Sequence, residues 1–308
     1  MINDNLTIAI PVFERDDFFE MAITSAINQT VQCKIIVVDN NSSHNRFKEY
    51  VESLNLHNLT YFKNEENLGM IGNWNRCIEL CSTEYLSILH DDDILHLQFV
   101  EAIGRIDKNW DILFSQSEVR KNPSSKFTDK INLDKFKVKG VTSDAFVFGN
   151  FNYAPGTVFK VSSAKLLGGF SNEYGYILDF HMWIKFTARF KAIYTTSILS
   201  FYRESEIQGT RTLYKDMILN TYRIMKLVPR YNNSKIMRFL SDYLIFSGGL
   251  DIHLLTEENK TKDINIEFKD CPQFLNDYRR FGWFYRFKIL SLPLRKGLKE
   301  IFKMYLNS

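Results

Sequence analysis

Strand-length apolar runs separated by helix-spaced segments constrain this chain more than any other feature. Thr7-Ile8-Ala9-Ile10-Pro11-Val12, Lys34 to Asp39, Leu59 to Phe62, Tyr85 to Leu89 and Ile112 to Ser115 read as strands. Between them, Phe18 to Asn28, Arg46 to Leu54, Trp74 to Cys81 and Phe99 to Ile106 place apolar residues at helical spacing. Strands alternating with helices predict an α/β chain with a mostly parallel central sheet flanked by helices. The runs are predominantly apolar, as expected of strands covered on both faces. Such sheets bind ligands beyond the carboxyl ends of their strands.

The predicted strand ends are polar. The first leads into Phe13-Glu14-Arg15-Asp16, the second into Asp39-Asn40-Asn41-Ser42-Ser43, and the fourth into His90-Asp91-Asp92-Asp93. Three adjacent carboxylates repel one another, and a hard divalent cation such as Mg²⁺ or Mn²⁺ reverses that cost while keeping positions open for phosphates. A helix N-terminus with an acidic first turn is the competing explanation. An acidic residue such as Asp39 after a second strand commonly grips a ribose in dinucleotide-binding folds. The glycine-rich turn of those folds is missing after the first strand, where Pro11-Val12-Phe13-Glu14 stands instead. Asp39 therefore points to a nucleotide site of another design, or to a local Asx-turn. Asn67-Leu68-Gly69-Met70-Ile71-Gly72-Asn73 brackets a helix start whose backbone amides can approach a phosphate or base. Asp179 opens an apolar helix at Leu178-Asp179-Phe180-His181-Met182-Trp183, as a functional acid or as a cap.

A length of 308 residues holds one large domain, or one domain and a smaller one. Strand–helix alternation stops after Arg203, and Tyr214 to Val228 and Lys235 to Leu255 are helical patterns. The expected division is 1–205 as a ligand-binding domain and 206–308 as a helical region. The net charge of +3 does not suggest a nucleic-acid binder. Cys33, Cys77, Cys81 and Cys271 are too few and scattered for a disulfide framework. With no signal-peptide pattern and no uncharged run of membrane-spanning length, the expected location is the cytoplasm. From Tyr278 to Ser308, eight basic residues face Glu300 alone. Leu298, Ile301, Phe302, Tyr305 and Leu306 recur at helical spacing there. A basic amphipathic helix of this kind lies on an anionic membrane, or docks its apolar stripe on the main domain or on a second subunit of a homo-oligomer.

Taken together, these blocks resemble glycosyltransferase family 2, the inverting enzymes of the GT-A fold, from Thr7 to about Gly209. The matching pieces are Ile10-Pro11-Val12-Phe13-Glu14, Ser25-Ala26-Ile27-Asn28-Gln29-Thr30, Val37-Val38-Asp39-Asn40-Asn41-Ser42, Asn67-Leu68-Gly69, Leu89-His90-Asp91-Asp92-Asp93, Gly168-Gly169-Phe170 and Leu178-Asp179-Phe180-His181-Met182-Trp183. The resemblance implies that Pro11, Phe13, Glu14, Asp39, Asn67, Gly69, Asn73 and Asp91 bind the donor nucleotide. It implies Asp92 as the main ligand of Mn²⁺ or Mg²⁺, with Asp93 in support. Asp179 would be the catalytic base, with His181 and Trp183 on the acceptor side. The implied donor is a nucleotide sugar, with uridine diphosphate as carrier. The implied acceptor is a hydroxyl of a glycan or polyprenyl-linked glycan in surface-polysaccharide synthesis, met at the inner face of the plasma membrane. The chain departs from the family pattern in three places. His90 replaces an acidic residue, Leu178 stands where a glutamate often precedes the base, and Tyr202-Arg203-Glu204-Ser205 lacks a frequent histidine. Those departures leave room for a non-catalytic nucleotide-sugar binding subunit. A sugar nucleotidyltransferase is a further alternative, although the activation loop it needs after the first strand is absent.

Overall fold

The structure, a computed structural model, describes residues 5–107, 109–120, 130–148, 150, 152–203, 214–228, 242 and 271–286. The strands are β1 (Leu6–Val12), β2 (Lys34–Asp39), β3 (Leu59–Lys63), β4 (Tyr85–Ile88), β5 (Ile94–Leu95), β6 (Ile112–Arg120), β7 (Lys139–Val141), β8 (Val158–Lys160) and β9 (Ala192–Arg203). The helices are α1 (Phe19–Ile27), α2 (Arg46–Leu54), α3 (Gly69–Leu80), α4 (Phe99–Gly104), α5 (Val161–Leu166), α6 (Leu178–Arg189), α7 (Tyr214–Met225) and α8 (Pro272–Arg286).

The strands join one sheet in the order β3-β2-β1-β4-β8-β6-β9-β5, and β7 adds to β9. Strands β3, β2, β1 and β4 run parallel. β8 is antiparallel to both β4 and β6, β6 and β9 are parallel, and β5 and β7 run antiparallel to β9. The fold is thus α/β with a central sheet flanked by helices, and its parallel block is the half the alternating sequence marks most clearly.

Burial explains that block. Ile8, Ile10, Val12, Ile35 and Val37 of β1 and β2 pack with Ala22, Ile23, Phe47 and Phe99 from the helices, all at most 3% exposed. Burying a Val, Leu, Ile or Phe side chain contributes about 1.5–3 kcal/mol each. The chain steps outward from β1 to β2 and β3, then returns to β4 on the other side of β1. That reversal is a topological switch point, where a crevice opens at the carboxyl ends of the strands. Pairing between β1 and β4 ends at Ala9 and Ile88, two residues before Pro11, whose nitrogen has no hydrogen to donate.

Several elements differ from their sequence patterns. Helix α3 begins at Gly69, five residues before Trp74, so Gly72 and Asn73 lie inside it. β6 continues through polar Gln116-Ser117-Glu118 to Arg120, with register irregularities at Ser115–Ser117, because β9 supplies a partner along its whole length. Helix α5 starts at Val161 and has no side-chain cap, so Ser162 does not open it. The triple aspartate is followed by the two-residue β5, and α4 starts only at Phe99, which removes the helix-N-terminus explanation.

The chain divides into two compact units. The first holds residues 1–141, 152–171 and 189–206, and with them the whole sheet. The second holds 142–151, 172–188 and 207–308. The second therefore takes in most of α6 as well as the region expected from 206 onward. Within it, Phe146 packs on Phe180 with ring centroids 5.6 Å apart. The Tyr222 hydroxyl donates to Asp277 at 2.6 Å, and Lys226 bridges Asp277 at 2.7 Å and Asp242 at 3.0 Å. The predicted helix 235–255, apart from residue 242, and the apolar stripe near residue 300 lie outside the described residues. Among the described residues, no helix is long and apolar enough to cross a membrane.

Candidate active site

The loops after β1, β2 and β4 meet at the switch-point rim. Glu14 follows β1 with a positive φ of 55°. A non-glycine residue adopts that conformation only when its surroundings enforce it. Here its backbone N–H donates to the Ser42 hydroxyl at 2.9 Å. Its carboxylate accepts from the Ser43 N–H at 2.8 Å and the Ser43 hydroxyl at 2.9 Å. Those bonds, the backbone one first, hold the Glu14 carboxyl below its ordinary range. Beside it Phe13 is 41% exposed and Pro11 is half-buried.

Asp39, at the end of β2, is fully buried. One oxygen accepts from the Ser42 N–H at 2.8 Å and the Ser42 hydroxyl at 2.7 Å. The other accepts from the Tyr61 hydroxyl at 2.6 Å. Burial, with that acceptor beside it, raises the Tyr61 phenol. Asp39 thus forms the local turn the sequence allows and is anchored across to β3 as well.

Four asparagine amides tie this rim to α3. Asn40 donates to Asn67 at 2.7 Å, and Asn64 donates to Asn40 at 3.2 Å and to Asn73 at 3.0 Å. Asn73 donates to the Val38 carbonyl at 3.0 Å, and the Asn67 oxygen accepts from the Gly69 N–H at 2.8 Å. Gly69 has φ 69°, the left-handed region that glycine tolerates. Asn67 and Gly69 face solvent, whereas Asn73 is buried.

The acidic turn follows β4. One guanidinium nitrogen of Arg15 lies 2.9 Å from an Asp91 oxygen and 2.9 Å from an Asp92 oxygen. Asp93, with no exposed side-chain surface, accepts from the Arg203 N–H at 2.8 Å and meets the His90 Nδ1 at 2.8 Å. Arg203 also donates from Nε to the Asp92 carbonyl at 2.9 Å and stacks 3.8 Å over the Phe18 ring. Burial alone would lower the His90 imidazole. The hydrogen bond to Asp93 and the charges of Asp93, Asp92 and Asp91 overcome it and raise it to about 9. Burial, with the Asp92 charge, pushes Asp91 up to about 6 against the pull of Arg15.

Behind the turn, His90 packs on Trp74 at 5.1 Å and Trp74 on Phe170 at 5.1 Å. The Phe170 N–H donates to Asn75 Oδ1 at 2.8 Å, and Asn75 Nδ2 donates to the Phe170 carbonyl at 3.0 Å. Gly168-Gly169-Phe170 thereby buttresses the acidic turn through α3.

The donor set suits a hard divalent cation. His90, Asp92 and Asp93 each offer a ligand atom, all within 4.8 Å of one another, and the buried His90 Nε2 has no hydrogen-bond partner. Carboxylates favour Mg²⁺ and Mn²⁺, and His90 can join them only after giving up the proton that Asp93 stabilises.

Asp179, His181 and Trp183 belong to the second unit, in α6. Asp179 lies in the first turn, and its Oδ1 accepts from the Phe180 N–H at 2.7 Å. His181 packs edge-on to Tyr174 at 4.7 Å, and burial lowers its pKa. Trp183 is 1% exposed. Two rim residues escaped the sequence reading as site members, Arg15 and Arg203. Arg15 had one signal, a lone cation among acidic strand ends, and Arg203 had another, its place in the Tyr202-Arg203-Glu204-Ser205 segment compared with the family pattern.

Several known proteins are similar. The chain is 28% identical to the "GalNAc(5)-diNAcBac-PP-undecaprenol beta-1,3-glucosyltransferase" of Campylobacter jejuni, covering 98% of this chain and 87% of that relative. It is 32% identical over 93 residues to the colanic acid biosynthesis protein WcaA of Escherichia coli, spanning a third of that relative's length. The S. aureus TarS 1–349 structure in complex with UDP-GlcNAc superposes with a TM-score of 0.61 at 14% identity, covering 90% of this chain and 80% of that one. The mannosyltransferase PcManGT of Pyrobaculum calidifontis, in complex with GDP-Man and Mn²⁺, superposes at 0.54 and 12% identity, covering 96% and 87%. The fold is therefore that of the GT-A glycosyltransferases. The model of Glycosyl transferase family 2 matches residues 7–162, and with half its length inside that match the chain belongs to that family.

Proposed function

We propose that this glycosyltransferase moves a sugar from a nucleotide diphosphate, a uridine diphosphate sugar, to a hydroxyl of a lipid-linked glycan, with inversion at the transferred carbon. The observation that carries the reading is the acidic turn after β4, set at the switch point beside the loops of Glu14 and Asp39. The names of the Campylobacter relative and of the UDP-GlcNAc complex support the acceptor class and the donor class.

Phe13, exposed beside the locked Glu14, offers a face for the base, and Glu14 and Asp39 shape the base and ribose subsite. Pro11, Asn67, Gly69 and Asn73 complete the donor subsite, the amides by fixing the start of α3. Asp92 would hold a divalent cation, with Asp93 in support and Asp91 beside it. When bound, the cation stabilises the negative charge that grows on the leaving diphosphate. Asp179 removes the acceptor proton, a role that typically contributes about 10²–10⁴-fold. An ordinary carboxylate suffices if the proton leaves after the new bond to the sugar has begun to form. Arg203 holds the turn in place through its bonds to Asp92 and Asp93. The reaction needs membrane-borne substrate, so the enzyme works at the inner face of the plasma membrane, with residues 278–308 as the membrane-contacting segment.

Nucleotide-sugar screening by thermal shift, with and without Mn²⁺, tests this reading. A UDP-sugar should stabilise the wild type in a Mn²⁺-dependent way and leave Asp92→Asn unmoved. Equal stabilisation of wild type and Asp92→Asn, or none by any nucleotide sugar, would refute it.

A further inference from the structure

We infer that Arg15 is the resident counter-ion of the acidic turn, displaced when a divalent cation binds Asp92 and thereby freed to contact the donor's diphosphate. The inference rests on the proposed nucleotide-sugar site.

Its basis is the difference between the two arginines at this turn. A single Arg15 nitrogen bridges the Asp91 and Asp92 carboxylates, 2.9 Å from each. It bridges two carboxylates at once, as a bound metal ion would, with one positive charge where a divalent cation would bring two. A divalent cation bound to the Asp92 carboxylate meets a positive guanidinium already in contact with that carboxylate. The two cannot both sit there at contact distance without like-charge repulsion. Arg203 cannot be the group that yields. It is 2% exposed, stacked on Phe18 and hydrogen-bonded to both Asp92 and Asp93.

Arg15 can yield. Its side chain is 35% exposed, and its side-chain partners among the described residues are the carboxylates themselves. Its loop is held without it, by the bonds of Glu14 to Ser42, Ser43 and His44. The guanidinium can therefore swing while the backbone stays. It remains tethered at the end of β1, on the rim where the diphosphate would lie. Guanidinium groups bind phosphate oxygens bidentately, which makes the freed group a diphosphate contact.

The test is the opposite movement of two affinities. Mn²⁺ binding without nucleotide is measured by electron paramagnetic resonance of the free ion, for wild type, Arg15→Met and Asp92→Asn. UDP binding is then measured calorimetrically at saturating Mn²⁺. Arg15→Met should bind Mn²⁺ about 5- to 150-fold tighter, the range of ordinary site–site coupling, because nothing has to be displaced. The same variant should bind UDP more weakly. A merely structural role would weaken both. Wild-type Mn²⁺ binding that Asp92→Asn abolishes but Arg15→Met leaves equal or weaker overturns the displacement while the metal site stands. Tighter Mn²⁺ with undiminished UDP binding overturns the diphosphate contact. No Mn²⁺ binding by wild type overturns the metal reading itself, and with it this inference.

Discussion

Replacing Asp39 separates what the rim needs for folding from what it needs for recognition. The carboxylate is fully buried and accepts three hydrogen bonds, from the Ser42 N–H, the Ser42 hydroxyl and the Tyr61 hydroxyl, at 2.6–2.8 Å. Asp39→Ala removes every acceptor at once. Ser42 is itself buried, so its N–H is left without a partner and without water. Each buried donor left unsatisfied in this way costs about 1–3 kcal/mol. Asp39→Asn keeps the shape. Its remaining oxygen can hold both Ser42 bonds, and the Tyr61 hydroxyl can turn to accept from the new amide. The loss is then the difference between charged and neutral hydrogen bonds, about 1 kcal/mol. Urea denaturation should show a large midpoint shift for Ala and a small one for Asn, at unchanged slope. If Asp39 also serves the nucleotide, the folded Asn variant should bind UDP about 10-fold more weakly, the worth of one charged hydrogen bond. Asn as damaging as Ala, or Ala within about 1 kcal/mol of wild type, would refute the argument from lost acceptors.

Gly168 and Gly169 both have positive φ, 81° and 71°, but a Cβ at Gly168 meets nothing within 4 Å. A Cβ at Gly169 would clash with the Asn75 Oδ1 that holds Phe170. Gly168→Ala should therefore cost about 1–2 kcal/mol of backbone strain, and Gly169→Ala about 1–3 kcal/mol more; equal losses in thermal unfolding would contradict this. Raising the His90 imidazole from 6.5 to about 9 stabilises the protein fully below pH 6.5 and is lost as pH climbs through 9. That contribution amounts to at most about 3 kcal/mol. Between pH 7 and 9.5 the wild type should lose more stability than His90→Gln, and parallel curves would exclude His90 as the source. Asp179→Asn should lower kcat by about 10²–10⁴-fold with donor affinity unchanged; wild-type kcat would exclude Asp179 as the base.

The parallel block was legible because β1 and β2 are buried on both faces, so Ile8 to Val12 and Ile35 to Val38 are apolar without interruption. The start of α3 was not. Gly69 and Gly72 read as breakers, and only the amide network of Asn40, Asn64, Asn67 and Asn73 compensates for them. The far half of β6 was hidden for a related reason: Gln116, Ser117 and Glu118 lack strand-like apolarity, and pairing with β9 makes them a strand.

The order of elements and the acidic and amide groups at the strand ends are properties of the chain itself, since hydrophobic period and turn chemistry act over a few residues. What those groups touch is not. Arg15 meets Asp91 and Asp92 from 76 and 77 positions away, and Arg203 meets Asp93 from 110. Those distant partners are brought together by strand order and sheet register. A run of three aspartates can announce a need for positive charge, but only the packed sheet decides that a buried Arg203 is fixed against them and a half-exposed Arg15 bridges two of them.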